Sequence, residues 1–104
     1  MLMEPIKIQS VDLVDEQITV LYEELWFQED IEKLRAALLN DIPNHNIKEI
    51  TIGADRENIR FEWQLAEFVL NFDCYSQSCW FSAQDESSKS MLPSLFAKLT
   101  ANKL

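Results

Sequence analysis

Two cysteines, Cys74 and Cys79, stand in the stretch FVLNFDCYSQSCWFSAQ, and such a pair could hold a metal ion, form a disulfide or act as a redox couple. Zinc needs four ligands, but the rest of the sequence adds only one histidine and no second cysteine pair. A redox couple typically has a two-residue spacer at a helix N-terminus, whereas four residues separate these thiols. A cross-strand disulfide is the remaining alternative, although so few cysteines are typical of a reducing compartment. We therefore predict two reduced, metal-free thiols that pack in the core.

His45 is the one histidine of the chain, so a general base or a Ser-His-Asp relay working near neutral pH would have to use it. It stands in PNHNIK, a polar stretch that follows a predicted helix. No pattern places a cysteine or a serine beside it. We interpret His45 as a turn residue.

Pairs of acidic residues could share a proton or bind a divalent cation. With 18 acidic residues in 104, such pairs arise from composition alone. The stretch ADREN at 54–58 lacks the spacing of a calcium loop, and one glycine cannot form a phosphate-binding loop. We predict no catalytic residue, no metal site, no cofactor and no enzymatic activity.

The alternative is a small enzyme or ligand-binding domain that uses His45 or an acidic pair in a pocket between helices and sheet. The acidic pairs are Asp15/Glu16, Glu23/Glu24, Glu29/Asp30 and Asp85/Glu86.

The net charge of −9 repels nucleic-acid phosphates and anionic lipid headgroups. The sequence therefore favours neither nucleic acid nor a membrane surface as partner. The opening MLMEPIKIQS has no basic start and no long apolar run, and no run of eighteen apolar residues occurs. We expect a cytoplasmic bacterial protein.

Two segments show the apolar spacing of amphipathic helices, WFQEDIEKLRAALLNDIP and MLPSLFAKLTANKL. Pro93 is compatible with the first turn of the second helix. Trp26 precedes the first helix, where an apolar side chain often packs against the helix start. The predicted stripes are Phe27, Ile31, Leu34 and Leu38 in the first helix and Leu92, Leu95, Phe96 and Leu99 in the second.

Strands are predicted on both sides of the first helix. IKIQSVDLV and QITVLYEEL form an N-terminal hairpin, and IKEITI, NIRFEWQ, EFVLNFDCY and SCWFSA alternate between apolar and polar residues. The turns predict that Cys74 faces Cys79, Phe72 faces Phe81, Trp63 faces Phe68 and Ile52 faces Ile59. The predicted buried face of the sheet holds Ile50, Ile52, Ile59, Phe61, Trp63, Phe68, Leu70, Phe72, Cys74, Cys79 and Phe81.

These elements predict one α+β domain over residues 1–104 with two layers. A mostly antiparallel sheet of about six strands carries two helices on one face, in the order β-β-α-β-β-β-β-α. The other face stays open to solvent unless the N-terminal strands cover it. It holds our candidates for protein interaction, since exposed aromatic residues beside charges are typical of interfaces. They are Arg60, Glu62, Val69, Asp73, Tyr75 and Trp80.

The segment IRFEWQLAEFVLNFDCYSQSCWFSA resembles a family of small, acidic, uncharacterised bacterial proteins, a domain of unknown function. The resemblance implies a bacterial cytosolic protein without assigned activity and offers no functional residues. By analogy with acidic adaptors, chaperones and immunity proteins, we expect a module that binds a protein with a basic or mixed surface. A homo-oligomeric structural protein that self-associates through the sheet is a further alternative.

Overall fold

The computed structural model describes residues 6–101 and contains one six-stranded antiparallel sheet. The strands are β1 (Ile8–Val14), β2 (Gln17–Tyr22), β3 (Asn46–Ile52), β4 (Arg56–Trp63), β5 (Ala66–Asp73) and β6 (Ser78–Ala83). The helices are α1 (Ile31–Asn40) and α2 (Leu92–Thr100). The order of the strands in the sheet is β1-β2-β6-β5-β4-β3. The predicted two-layer α+β fold is confirmed, and the N-terminal hairpin, whose place the sequence left open, lies beside β6.

Both helices pack on the same face of the sheet because their apolar stripes and one face of the strands bury each other. In β4, buried and half-buried residues alternate along the strand, as a sheet with one covered face requires. The buried residues of the helices are Ile31, Leu34, Leu38 and Leu39 in α1 and Leu92, Leu95 and Leu99 in α2. Phe61 lies at the centre of the sheet side of this core, with its ring centroid 5.7 Å from that of Phe68 and 6.0 Å from that of Phe81.

The start of α1 differs from the prediction at Phe27. This residue was expected in the buried stripe, but it is 58% exposed. It has an extended backbone and precedes a 3-10 turn, Gln28–Asp30, where its N–H donates to Asp30 Oδ2 at 2.8 Å. Trp26 is buried instead. The core residue that precedes α1 is therefore one position earlier than the helical spacing implies.

The cross-strand partners differ from the predicted ones by two positions. Ile50, and not Ile52, lies opposite Ile59, and Phe61 lies opposite Phe68. Phe72 lies opposite Cys79, which leaves Cys74 in the turn without a partner in the ladder. Since side chains alternate with a period of two, this shift keeps each strand residue on its predicted face.

The helix layer ends before it reaches β3. Ile50 and Ile52, predicted in the buried core, lie on the helix-bearing face but are 40% and 67% exposed. They belong to β3, one of the two edge strands, and all seven residues of this strand are exposed.

None of the helices within residues 6–101 is long and apolar enough to cross a membrane. The first five residues of the opening segment, on which the expectation of no secretory signal partly depends, lie outside the described residues.

Candidate functional site

The sheet face without helices, called the open face below, carries five of the six predicted interaction residues. Trp80 lies between Thr19 and Asn71 on the neighbouring strands, and Val69 lies between Arg60 and Ser82. The sixth, Tyr75, was predicted on this face but lies in the turn between β5 and β6, where it is 89% exposed. The turn begins at Cys74, two residues earlier in the chain than the predicted pairing of Cys74 with Cys79 implies. The five residues on the open face are Arg60, Glu62, Val69, Asp73 and Trp80.

Polar side chains on the β3–β5 half of the open face bind one another. Arg60 Nη1 donates to Glu67 Oε1 at 2.8 Å, and Nη2 lies 3.7 Å from Glu49 Oε1. Asn58 Nδ2 donates to Asn71 Oδ1 at 2.7 Å. These pairs leave little unmatched charge in this half of the face.

The other charged candidates are paired in the same way. Arg56 Nε lies 3.2 Å from Asp73 Oδ2, and Lys48 Nζ lies 3.9 Å from Glu62 Oε1. Most of these side chains are partly exposed, so each pair contributes little to stability. Arg60, Glu62 and Asp73 therefore each form an ion pair within the chain. They do not offer an unpaired charge to a partner.

The β2–β6 half of the open face is different, because it contains a groove. β2 and β6 pair from Gln17–Ser82 to Val20–Cys79, and the ladder stops there. The groove encloses about 400 Å³ at that end of the sheet. Trp80 is half-buried, while Leu21 and Val14 are 44% and 54% exposed on the same face. The groove is lined by Gln17, Thr19, Leu21, Ser76, Gln77, Ser78, Cys79 and Trp80.

Gln77 fixes one end of this groove. It has a left-handed backbone, with φ 57°. Its side-chain amide binds the backbone of Trp26 twice: Oε1 accepts from the Trp26 N–H at 3.0 Å, and Nε2 donates to the Trp26 carbonyl at 2.7 Å. The Trp26 ring is buried edge-on against Phe72, with centroids 5.6 Å apart. The segment that links β2 to α1 is thereby held against the β5–β6 turn.

Sequence reasoning missed this role of Gln77. A glutamine in a polar turn carries no local signal that its amide binds a backbone 51 residues earlier. Only the apolar Trp26 pointed to packing at this place. The position of Gln77 follows from the turn, which the sequence placed differently.

The side chains that could take part in a reaction, those of the two cysteines and the histidine, do not form a common site. Cys79 is buried and Cys74 is half-buried with Sγ 3.8 Å from the Trp26 carbonyl oxygen. Burial raises the pKa of the Cys79 thiol far above its ordinary value. His45 Nδ1 lies 2.7 Å from the Ile42 carbonyl oxygen, and its ring is edge-on to Phe61. No group of three His, Cys, Asp or Glu side chains within residues 6–101 is placed to hold a metal ion.

The groove lining is nearly uncharged. Hydroxyl and amide groups lie beside Leu21 and Trp80. Cys79 also borders the groove, but its side chain lies on the helix-bearing face, opposite Phe72, and is buried. Such a surface offers hydrogen bonds and apolar contact to a ligand. It holds no pair of acid and base that could transfer a proton.

Comparison with known proteins gave one informative result. Neither the curated proteins nor the solved structures include a match to this chain. A family model described as "Protein of unknown function (DUF3630)" matches residues 6–101. This match covers nearly the whole chain and agrees with the resemblance to a domain of unknown function, and the chain belongs to the DUF3630 family of proteins of unknown function.

Proposed function

We propose that this protein is a cytoplasmic, non-catalytic module that binds a protein partner through the open face, with the groove beside Trp80 as the main contact. The observation that carries the proposal is the half-buried Trp80 next to Leu21, both lining a groove on a sheet face that no helix covers. Tryptophan in such a partly enclosed position is the residue type most enriched among interface residues that dominate binding energy.

Apolar exposure on this face supports protein binding. Leu21 and Val14 are 44% and 54% exposed and lie on the same face as Trp80. A neighbouring protein surface would cover these side chains and remove them from water, which favours association by about 25 cal/mol for each Å² of apolar area. Hydroxyl and amide groups in the groove can complete the hydrogen bonds of the partner.

The charge of the molecule favours a partner with a basic or mixed surface. A net charge of −9 attracts such a surface from a distance and accelerates the encounter. Within the open face, Asp12 lies opposite Thr19, one of the groove residues. The nearly uncharged groove then provides the short-range contact.

An enzyme with a pocket between helices and sheet has less support. The groove beside Trp80 lies on the face away from the helices, and His45 Nδ1 lies 2.7 Å from the Ile42 carbonyl oxygen. The neutral lining of the groove favours binding over proton transfer.

Affinity capture from lysate with immobilised protein tests this proposal. Trp80→Ala should lose most of the captured partner, because the ring forms one wall of the groove. Leu65→Ala is the matched control: Leu65 is 95% exposed in the β4–β5 turn, at the opposite end of β5 from the groove. Wild type and control should hold the partner equally.

Salt provides a second measurement on the same partner. The association rate should fall between about 10 mM and 150 mM salt, as the Debye length falls from about 30 to 8 Å. A partner retained equally by wild type and Trp80→Ala at both salt concentrations would show that the groove is not the site. Recovery of nucleic acid or a small metabolite alone would contradict the protein-binding function.

A further inference from the structure

Strand β3 leaves an apolar edge uncovered at the opposite side of the sheet from β1. It is an edge strand, and all seven of its residues are exposed. Ile47, Ile50 and Ile52 lie on the helix-bearing face and are 41%, 40% and 67% exposed. An open strand edge with a row of exposed isoleucines is a surface on which another strand can add.

A bulge gives this strand a symmetric pattern of faces. Ile47 lies opposite Phe61 and Ile50 opposite Ile59, so both point to the helix-bearing face. Between them the ladder is interrupted, and Lys48 and Glu49 both reach side chains of the open face, Glu62 and Arg60 respectively.

The flanking residues complete the symmetry. Asn46 lies opposite Glu62, and Thr51 opposite Asn58, so both belong to the open face. Outward from the peptide bond between Lys48 and Glu49, the residues follow the same order on both sides. The first lies on the open face, the second on the helix-bearing face and the third on the open face. A strand with this pattern can pair antiparallel with a copy of itself while each side chain meets one on the same face.

We propose that β3 is a self-association edge, at which β3 of a second copy of this chain pairs antiparallel. The two-fold axis that relates the copies lies midway between the two strands, level with their Lys48–Glu49 bonds. In this register Ile47 of each copy faces Ile50 of the other, and Lys48 faces Glu49. The two six-stranded sheets become one continuous sheet, and both open faces lie on the same side of it. The proposal goes beyond the binding function above, since it uses neither Trp80 nor the groove.

Charge complementarity selects a second copy over a foreign strand. A lysine and a bulge on an edge strand commonly deter pairing with other chains. In the two-fold register the same lysine meets a glutamate of the second copy, twice around the axis. Lys48 and Glu49 contact Glu62 and Arg60 only at 3.9 and 3.7 Å within their own chain, and both side chains are more than one-third exposed. They can therefore reach across the axis.

The mass in solution, measured by analytical ultracentrifugation over a series of protein concentrations up to several hundred micromolar, tests the proposal. Wild type should form a dimer, and Ile50→Lys should raise the dimer dissociation constant more than about tenfold, which corresponds to about 1.4 kcal/mol. Leu65→Lys is the matched control, because it adds the same charge at a 95% exposed apolar side chain away from β3. Circular dichroism confirms that each variant is folded.

A charge exchange tests the register. Glu49→Lys places four lysines around the axis and should abolish the dimer, while the double variant Lys48→Glu with Glu49→Lys should restore it. Wild type that stays monomeric at these concentrations would overturn the proposal. So would a dimer that survives Ile50→Lys, one that Leu65→Lys also dissociates, or a double variant that fails to dimerise. Since Trp80→Ala leaves β3 intact, loss of partner capture and loss of the dimer are separate results.

Discussion

At the scale of single residues, one carboxylate within residues 6–101 is buried on the helix-bearing face of the sheet. Glu57 lies on the helix-bearing face of β4, opposite Ile52 and Phe72, and is 5% exposed. Arg35 of α1 reaches it, with Nη1 2.6 Å from Glu57 Oε1. The pair attaches α1 to the sheet near the place where the helix layer ends. Burying two charges is unfavourable unless each meets the other, so the two side chains depend on one another.

Removing Arg35 should therefore destabilise the fold strongly. Arg35→Met leaves the Glu57 carboxylate buried and unpaired, and we expect a loss of about 3–5 kcal/mol in the free energy of unfolding. Arg56→Met is the matched control: its partner is Asp73, but the Arg56 side chain is 68% exposed, so the loss should stay below about 1 kcal/mol. Urea denaturation measures both. Equal losses would contradict the assignment of Arg35–Glu57 as the buried pair.

The sequence did not reveal this pair. An apolar–polar alternation identifies the strand from Asn58 onward, and a glutamate before it resembles a turn residue. Glu57 enters the core only because β4 begins at Arg56 and because Arg35 happens to face it from a helix 22 residues away. Contacts between distant segments of this kind leave no local periodicity.

Two buried groups, the Tyr22 phenol and the Cys79 thiol, make the stability of the fold depend on pH. Burial raises the pKa of Tyr22 far above its ordinary value of 10.0, with a further contribution from the neighbouring Cys79, and burial raises the pKa of Cys79 far above its ordinary value of 9.0. Both groups are neutral in the folded chain at pH 7. When the pH passes the ordinary values, the unfolded chain ionises and gains stability, while the folded chain holds both protons.

Stability should therefore be constant near neutrality with respect to these groups and fall above about pH 9. Each group contributes a decline of up to about 1.4 kcal/mol per pH unit once its unfolded form is ionised. Tyr22→Phe should reduce the decline between pH 9 and 11, and Tyr75→Phe, at an 89% exposed phenol, should not. Urea denaturation across this pH range gives the slopes. A slope unchanged by Tyr22→Phe would contradict the raised pKa of Tyr22.

At the scale of elements, the hairpin turns have an unusual composition. The β4–β5 turn has Gln64 and Leu65 at φ 50° and 67°, and the β1–β2 turn has Asp15 and Glu16 at φ 50° and 63°. Two-residue turns of this kind favour Asn and Gly, because other side chains are strained at positive φ. The one glycine, Gly53, has no positive φ.

Replacing Gln64 and Leu65 by Asn and Gly should therefore stabilise the protein. We expect a gain of about 1–2 kcal/mol, since the strain at two positions is relieved and the 95% exposed Leu65 buries almost nothing. Thermal denaturation measures it. Gly53→Ala serves as a control for the effect of glycine content: its added Cβ would meet the Arg56 carbonyl oxygen at an ordinary 3.6 Å, so the change should stay below about 1 kcal/mol. A melting temperature unchanged by the double replacement would contradict the strain.

The turns also explain which part of the fold was predictable. Strand faces follow from alternation alone, so the placement of Phe61, Leu70 and Phe81 on the buried face is confirmed. The register depends on where each turn begins, and Gln64–Leu65 lacks the Asn-Gly signal that would have fixed a two-residue turn. A shift by two positions leaves every face unchanged, so the alternation could not detect it.

At the scale of the whole molecule, the two faces of the sheet have different roles. Trp63 is 2% exposed on the helix-bearing face and packs against Phe68, with centroids 6.5 Å apart. Trp80 is half-buried on the open face. The sequence predicted these faces, because each tryptophan stands in an alternating strand. It could not predict the groove beside Trp80, since that depends on β2 lying next to β6 and on the ladder ending at Val20.

Truncation of the two tryptophans tests this division of the molecule into a core side and a binding side. Trp63→Ala should lower the free energy of unfolding by about 3–5 kcal/mol, because it removes a large buried side chain and leaves a cavity. Trp80→Ala removes a ring that is already partly in water, and the loss should be less than about 2 kcal/mol. Phe61→Ala, at a side chain with 0% exposure, gives a second value for the core side and should resemble Trp63→Ala. If chemical denaturation finds Trp80→Ala as damaging as Trp63→Ala, the ring of Trp80 holds the fold together, and the groove beside it is a packing feature of the sheet instead of a surface for a partner.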